Sequence, residues 1–290
     1  MHEILGLDSM RAWSRAERQR GHRIAFVPTM GALHEGHLRL VDRARERADL
    51  AVLSIFVNPL QFGPGEDFAS YPRDLARDHG MAEARGVDVL FVPEAQAMYG
   101  TEPVVRAVAG AMVDAFEGAA RPGHFTGVLT VVTKLLHLVE PDVAIFGRKD
   151  FQQAALVRRL VMDLNFPVEI DVHPTVRELD GLALSSRNAY LNGDQRRAAL
   201  ALSRALRAVE QAWRAGESDG GTLERRGLDV LGAPGVAPEY LAVVDERLQR
   251  VARATANSVV VTAARVGPAR LIDNVVLGEG LGADPTAGAR

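Results

Sequence analysis

Residues 24–41, IAFVPTMGALHEGHLRLV, decide the fold of this chain. The apolar run 24–27 predicts a buried strand, and a glycine-rich turn leads from Pro28 into a helix with Leu38, Val41 and Ala44 on one face. Such a turn leaves free backbone N–H groups at the positive end of a helix dipole, and both favour phosphate. The turn also carries His34 and His37, although an isolated histidine pair more often caps a helix or lies on its solvated first turn.

The alternation of strand and helix continues along the chain. Strands are predicted at 51–57, 87–93, 142–147 and 167–176, with a weaker one at 103–108. Helices are predicted at 9–20, from about Pro72, at 128–139 and at 148–164. Continuous apolar strands separated by helices are typical of a parallel sheet that is covered on both faces. We therefore predict a doubly wound α/β domain over residues 1–176.

Beyond residue 176 the pattern changes. A polar loop at 177–191 and a helix at 194–215 precede a predicted turn at 217–222 and short strands at 240–245, 258–266 and 270–277. Helices followed by strands indicate a smaller α+β domain, over residues 177–278. The remaining residues, 279–290, contain too little apolar surface to order themselves, so we expect a disordered tail.

Composition excludes several classes of function. The 290 residues contain no Cys, which excludes a disulfide scaffold, a thiolate zinc site and a thiol nucleophile. The net charge of −3 argues against nonspecific nucleic-acid binding. The sequence has neither a signal peptide nor an apolar run that could span a membrane, so a cytoplasmic location is expected. No H-E-x-x-H motif or dense carboxylate set predicts a permanent metal site.

Polar loops follow three of the predicted strands. HEGH follows the first, NPLQF the second, and GRKD the strand that ends at Gly147. Ligands of open α/β sheets bind outside the carboxyl ends of the strands, so these loops are the candidate site. Lys149 is one of only two lysines and could meet phosphate oxygens, whereas Asp150 is equally consistent with a helix cap. Asn58 and Gln61 could fix a hydroxyl or a carboxylate, although each is more often a turn former.

Other polar residues carry weaker signals. Ser185, Ser186 and Arg187 offer two hydroxyls and a guanidinium, which suit phosphate but also occur in ordinary solvated loops. Arg121 and His124 form a positive pair with the same alternative interpretation.

Seven motifs in order then identify a resemblance: FVPTMGALHEGH, SIFVNPLQF, EDFASYPR, EGAARPGHF, FGRKDFQQ, DGLALSSRN and ARLIDN. Together they cover nearly the whole chain, which resembles the pantothenate synthetase (pantoate–β-alanine ligase) family of the HIGH-type nucleotidyltransferase superfamily. The resemblance implies a Rossmann-like domain with a smaller C-terminal lid, in a homodimer. It implies that pantoate is first joined to the AMP part of ATP with Mg²⁺ present, and that β-alanine then displaces AMP.

The resemblance also implies roles for individual residues. The catalytic residues would be His37, His34 and Lys149, with the two histidines facing the phosphates. Gln61 and Gln153 would hold pantoate, Gln61 also lying near β-alanine, and we add Asn58 and Arg121 to the substrate-binding set. The ATP site would comprise Met30, Gly31, Ala32, Leu33, His34, Glu35, Gly36, His37, Gly147, Arg148, Lys149, Asp150, Val176, Leu184, Ser185, Ser186 and Arg187.

The sequence differs from the family pattern at one position, and two other functions are weighed against the family's reaction. The usual FGEKD of the family is FGRKD here, and Arg148 would matter for nucleotide or Mg²⁺ affinity only if its side chain points into the site. A related adenylyltransferase that acts on a phosphorylated acceptor is disfavoured by the glutamines of NPLQF and FQQ, which suit a neutral diol acid. A catalytically silent nucleotide-binding regulatory protein is disfavoured by the presence of His34, His37 and Lys149.

Overall fold

The computed structural model describes residues 1–101 and 103–281, which form two compact units. The first consists of Met1–Gly147 and Gln153–His173, and the second of Arg148–Gln152 and the chain from Pro174 onward. The domain limits expected from the sequence, at residues 176 and 278, stay a prediction. Residues 282–290 of the expected disordered tail lie outside the described residues.

A six-stranded sheet forms the centre of the first unit. Its strands are β1 His2–Ile4, β2 Ile24–Thr29, β3 Leu50–Ile55, β4 Val89–Phe91, β5 Val143–Gly147 and β6 Glu169–His173. They pair in parallel in the order β1-β4-β3-β2-β5-β6. From β2 the chain builds β3 and β4 on one side and then β5 and β6 on the other, so the order reverses between β2 and β5. This confirms the predicted doubly wound fold, and the reversal is where such sheets bind ligands.

Seven α-helices are described in this part of the chain: α1 Leu7–Gln19, α2 Glu35–Arg47, α3 Leu75–Ala84, α4 Ala95–Tyr99, α5 Glu117–Ala120, α6 His124–Val139 and α7 Phe151–Asp163. Two apolar clusters lie on the two faces of the sheet. Along β2, for example, Phe26 belongs to one cluster and Val27 to the other. Because successive side chains of a strand point to opposite faces, a strand that is buried on both must be apolar throughout.

The second unit has its own core. Helices α8 Gly193–Arg214 and α9 Gly220–Leu231 accompany an antiparallel sheet of β7 Val236–Val244, β8 Val259–Val266 and β9 Ala269–Val276. Buried residues of α8 and α9, such as Leu206 and Leu223, share one cluster with Val243 and Val260 of the sheet. This confirms the predicted smaller α+β part.

The predicted strand at 103–108 is wrong. Residues 103–110 form no strand, and Val104, Val105 and Val108 are 97%, 84% and 75% exposed. Their β-branched composition is typical of a strand, but a strand also needs a partner to complete its backbone hydrogen bonds.

The predicted turn at 217–222 is also only partly correct, because α9 begins inside it at Gly220. The Asp219 carboxylate caps this helix by accepting from the N–H of Thr222 at 2.7 Å. A Cβ at Gly220 would lie 2.1 Å from the carbonyl oxygen of Val251, so this glycine allows close packing rather than a turn. Similarly, the helix expected from about Pro72 begins at Leu75, after the cap Asp74.

Throughout residues 1–101 and 103–281, no helix combines the length and hydropathy needed to cross a membrane.

Candidate active site

The turn after β2 has an unusual backbone. Gly31 and Ala32 have positive φ values of 79° and 51°, and the second is uncommon for a residue with a Cβ. Thr29 stabilises the start of the turn through two hydrogen bonds of its hydroxyl group. Its Oγ1 accepts from the N–H of Gly31 at 3.2 Å, and its O–H donates to the carbonyl of Ser54 at 2.7 Å. The turn is therefore fixed to the neighbouring strand β3.

A buried carboxylate holds the rest of this turn. Asp78 of α3 is 1% exposed, and its two oxygens accept from the N–H groups of Ala32 at 2.7 Å and Leu33 at 2.8 Å. Hydrogen bonds to a charged acceptor are stronger than neutral ones, especially where water is excluded. Asp78 therefore fixes the unusual backbone that precedes the two histidines. No sequence motif pointed to this residue.

His34 and His37 lie together at the start of α2. His34 is the N-cap residue, and the two rings stack with centroids 4.1 Å apart. The N–H of His34 points to Nδ1 of His37 at 3.4 Å, which helps to orient the His37 ring. The amino-terminal end of α2 and the N–H groups of imidazole rings are both suited to an anionic ligand.

The loop after β3 contributes a buried amide. Asn58 is 1% exposed; its Nδ2 donates to Oε1 of Gln61 and to the carbonyl of Gly127, while its Oδ1 accepts from the hydroxyl of Tyr99. Burial raises the pKa of Tyr99, so this hydroxyl keeps its proton and remains a donor. Asn58 thus holds Gln61 in place, and its direct contact with a substrate stays a prediction.

Gln61 connects the loops after β2 and β3. It is 8% exposed, and its Nε2 lies 3.0 Å from the sulfur of Met30. The structure therefore brings together two predicted site residues that lie 31 positions apart in the sequence and belong to different loops. This agrees with the expectation that polar loops at the carboxyl ends of neighbouring strands meet.

Arg121 is engaged by a carboxylate. Its Nε and Nη2 donate to Glu66 at 2.8 and 2.6 Å, and its Nη2 also lies 3.3 Å from the carbonyl of Gln61. His124 Nδ1 contacts the same carbonyl at 2.8 Å. Hydrogen bonding from Arg121 lowers the pKa of Glu66, which keeps the pair charged. Arg121 and His124 therefore support the backbone of Gln61, whereas direct binding of a substrate by Arg121 stays a prediction.

The end of β5 is open. A Cβ at Gly147 would meet nothing within 4 Å, and the register of the sheet places His173 of β6 beside Gly147. Burial lowers the pKa of His173, so its ring is neutral over more of the physiological range than usual. Gln153 lies in the first turn of α7 and is partly exposed.

In the second unit, Arg148–Asp150 form a 3₁₀ helix that follows β5 along the chain. Lys149 Nζ lies 3.9 Å from Asp150, and the Lys149 side chain is 21% exposed. The side chain of Arg148 forms a salt bridge with Glu279, and Asn274 donates to the carbonyls of Arg148 and Lys149. The guanidinium of Arg148 thus has a carboxylate partner within this unit.

The other residues of the second unit that are predicted to bind a nucleotide lie between Val176 and Arg187. The N–H of Leu184 donates to the carbonyl of Val176 at 3.0 Å, which closes the loop. Ser185 caps the following 3₁₀ helix, Ser186–Tyr190, by accepting from the N–H of Arg187 at 3.3 Å. Their contacts with a nucleotide stay a prediction.

Among the residues that the structure describes, no group of three or more His, Asp or Glu side chains is arranged to hold a metal ion.

Comparison with known proteins gives consistent results. The family model for pantoate-beta-alanine ligase matches residues 4–276. Pantothenate synthetase of Halorhodospira halophila is 53% identical over 281 residues, covering 95% of this chain and 98% of that protein. The enzyme of Heliobacterium modesticaldum is 50% identical over 279 residues, covering 96% and 99%.

Solved structures agree with these sequence matches. Pantothenate synthetase from Thermus thermophilus superposes with a TM-score of 0.90 at 46% identity, covering 96% of this chain and 99% of that chain. Pantoate-beta-alanine ligase from Francisella tularensis, complexed with beta-gamma ATP and beta-alanine, gives a TM-score of 0.80 at 32% identity. That match covers 97% of this chain and 100% of the other.

Proposed function

The chain belongs to the pantoate-beta-alanine ligase family, and we propose here how its residues carry out the reaction of that family. It is an ATP-dependent ligase that condenses pantoate with β-alanine to pantothenate through a pantoyl adenylate, releasing pyrophosphate and AMP. The observation that carries this conclusion is the match of the family model over residues 4–276.

In the first step, a carboxylate oxygen of pantoate attacks the α-phosphorus of ATP. The new O–P bond forms as the bond to the β-phosphate breaks, and pyrophosphate leaves with the bonding electrons. Negative charge builds up on the phosphate oxygens, and positioned donors are the main way in which a protein stabilises it. We assign this role to His34, His37 and Lys149, together with the amino-terminal end of α2. The stacking of the two rings and the contact of the His34 N–H with Nδ1 of His37 support the assignment.

In the second step, the β-alanine amine attacks the acyl carbon of the adenylate. The C–N bond forms, AMP leaves with the oxygen it shared with the acyl group, and the amine loses a proton. No protein nucleophile is needed, in keeping with a chain that has no Cys. The mixed anhydride must be protected from water, and we propose that residues 177–278 act as the lid that excludes it.

We assign pantoate binding to Gln61 and Gln153, whose amides can hold a hydroxyl and a carboxylate without adding charge. Asn58 and Met30 support this role, because both contact the Gln61 side chain and restrict its rotamer. Asn58 and Arg121 stay candidates for direct contact with a substrate.

We propose that ATP binds along residues 30–37 of the first unit and that residues 147–150, Val176 and residues 184–187 complete its site. We further propose that Mg²⁺ accompanies ATP as its phosphate complex. When bound, Mg²⁺ would supply charge neutralisation on the phosphates.

We also propose a homodimer in the cytoplasm. Three valines of the segment 103–110 are exposed, and contiguous exposed apolar residues commonly mark an interface with another protein. The strand-like composition of that segment supports pairing with a second copy of the chain.

The experiment that tests the function supplies ATP, Mg²⁺, pantoate and β-alanine and follows AMP. We expect AMP release that requires both pantoate and β-alanine. No AMP, or AMP release that ignores β-alanine, would contradict the assignment.

A further inference from the structure

We propose that Asn274 is a positioning residue for the nucleotide reaction, because its buried amide orients the two peptide groups on either side of Lys149. This inference rests on the proposed role of Lys149 at the ATP phosphates. Asn274 lies on β9, 125 positions along the chain from Lys149, and no sequence signal connects the two residues.

The side-chain NH₂ group of Asn274 donates to two carbonyls in the 3₁₀ turn formed by Arg148–Asp150. Nδ2 lies 2.9 Å from the carbonyl oxygen of Arg148 and 3.0 Å from that of Lys149. The residue is 3% exposed, and its Oδ1 is buried with no hydrogen-bond partner among the described residues. A buried acceptor without a partner costs free energy, so the orientation is set by the need of two carbonyls for donors.

Asn274 is itself held rigidly. Its N–H donates to Asp273 Oδ1 at 2.8 Å, and the Asp273 carboxylate accepts from Nη1 and Nη2 of Arg177 at 2.7 and 2.8 Å. Arg177 and Asp273 are 6% and 3% exposed, and Arg177 also lies 3.3 Å from the carbonyl of Asn274. A paired and buried bidentate contact of this kind fixes the strand from which the amide projects.

The consequence for the turn follows from peptide geometry. The chain has no cis peptide bonds among its described residues, and in a planar trans peptide the C=O and N–H groups point in opposite directions. Fixing the carbonyl of Arg148 towards β9 therefore points the N–H of Lys149 away from β9, and the carbonyl of Lys149 is fixed in the same way. Because the peptide groups on both sides of Lys149 are held, the direction in which its side chain leaves the backbone is set.

The side chain of Arg148, which replaces an acidic residue of the family pattern, is also accounted for by contacts in the second unit. Its carbonyl is held by Asn274 and its guanidinium by Glu279, so the side chain is paired within the second unit. Because Glu279 is 55% exposed, this pair contributes much less to the orientation of the turn than the buried amide does.

The test uses Asn274→Ala and Asn274→Asp in the full chain, with initial rates of AMP release measured against ATP and against pantoate. Asn274→Asp has nearly the same shape but turns an oxygen towards both carbonyls. We expect kcat/KM for ATP to fall by about 10²-fold in both variants, as for a misplaced reacting group, with KM for pantoate unchanged. Asn192→Ala is the matched control, because it removes an exposed asparagine that caps α8 and should lower Tm without changing kcat/KM for ATP.

A double-mutant cycle with Lys149→Ala tests whether Asn274 acts through the turn. We expect the double variant to be about as slow as Lys149→Ala alone, whereas effects that multiply would overturn the proposal. If Asn274→Ala does not fold, Asn274→Ser keeps one donor and should give an intermediate kcat/KM for ATP; an unchanged kcat/KM would overturn the proposal equally. A wild-type chain that releases no AMP would instead refute the proposed function.

Discussion

Replacing Asp78 by Asn tests how the turn before the two histidines is held. The Asp78 carboxylate is buried and accepts two backbone N–H groups, at 2.7 Å from Ala32 and 2.8 Å from Leu33. Asparagine has nearly the same shape, but one of its two side-chain positions becomes an NH₂ group. One backbone N–H then loses its acceptor and faces another donor.

The magnitude follows from these two contacts. A hydrogen bond to a charged group contributes about 1.5–3 kcal/mol, and an unsatisfied buried donor costs about 1–3 kcal/mol. Asp78→Asn should therefore reduce the free energy of unfolding by about 2.5–6 kcal/mol, which most domains survive because their stability is about 5–15 kcal/mol. Displacement of the turn should also lower kcat/KM for ATP by about 10²-fold.

Denaturant unfolding and initial-rate AMP assays measure the two effects separately. Asp74→Ala is the matched control, since this exposed aspartate caps the same helix α3 by accepting from the N–H of Arg77 at 3.0 Å. The control should lose about 1 kcal/mol of stability and keep wild-type kinetics. If Asp78→Asn folds and shows the same kcat/KM as Asp74→Ala, the buried carboxylate does not organise the catalytic turn.

Three further predictions concern single side chains. His37→Ala should lower kcat by about 10²-fold or more with Tm near the wild-type value, and a parallel loss of Tm would point to a structural role instead. Hydrogen bonds from Arg121 hold the pKa of Glu66 below its ordinary 4.5, so the pair stabilises the fold fully above that pH and this stabilisation is lost as pH falls through the folded pKa. In thermal melts, the Tm of wild type should therefore fall more steeply with decreasing pH than the Tm of Glu66→Gln. Parallel plots of Tm against pH for the two proteins would refute this prediction. Burial lowers the pKa of His173 below 6.5, so the unfolded state binds more protons and stability should fall as pH drops from about 6.5. His173→Gln should flatten that slope, and an unchanged slope would exclude His173 as its source.

The sheet could be predicted because its strands carry a local signal. A strand that is buried on both faces must be apolar at every position, as Phe26 and Val27 illustrate on opposite faces of β2. The three-residue strand β1 is too short for such a signal and was missed. The segment 103–108 has the composition of a strand without a partner in the described chain, so local preference alone predicted it wrongly.

The site could be predicted as far as its loops but not as far as their supports. His34, His37 and Gln61 stand out because polar residues follow apolar strands. Asp78 and Asn274 act through contacts with residues 46 and 125 positions away, and nothing in their neighbouring residues indicates those contacts. Positions that hold a site together are specified by tertiary structure, which sequence patterns of one chain do not contain.

In the proposed reaction the chain activates pantoate as an acyl adenylate before the amine enters. Exchange of labelled pyrophosphate into ATP measures this activation, because it reports reversal of the first step alone. We expect exchange that requires pantoate and Mg²⁺ and proceeds without β-alanine. Exchange that occurs without pantoate, or that begins only when β-alanine is added, would contradict it.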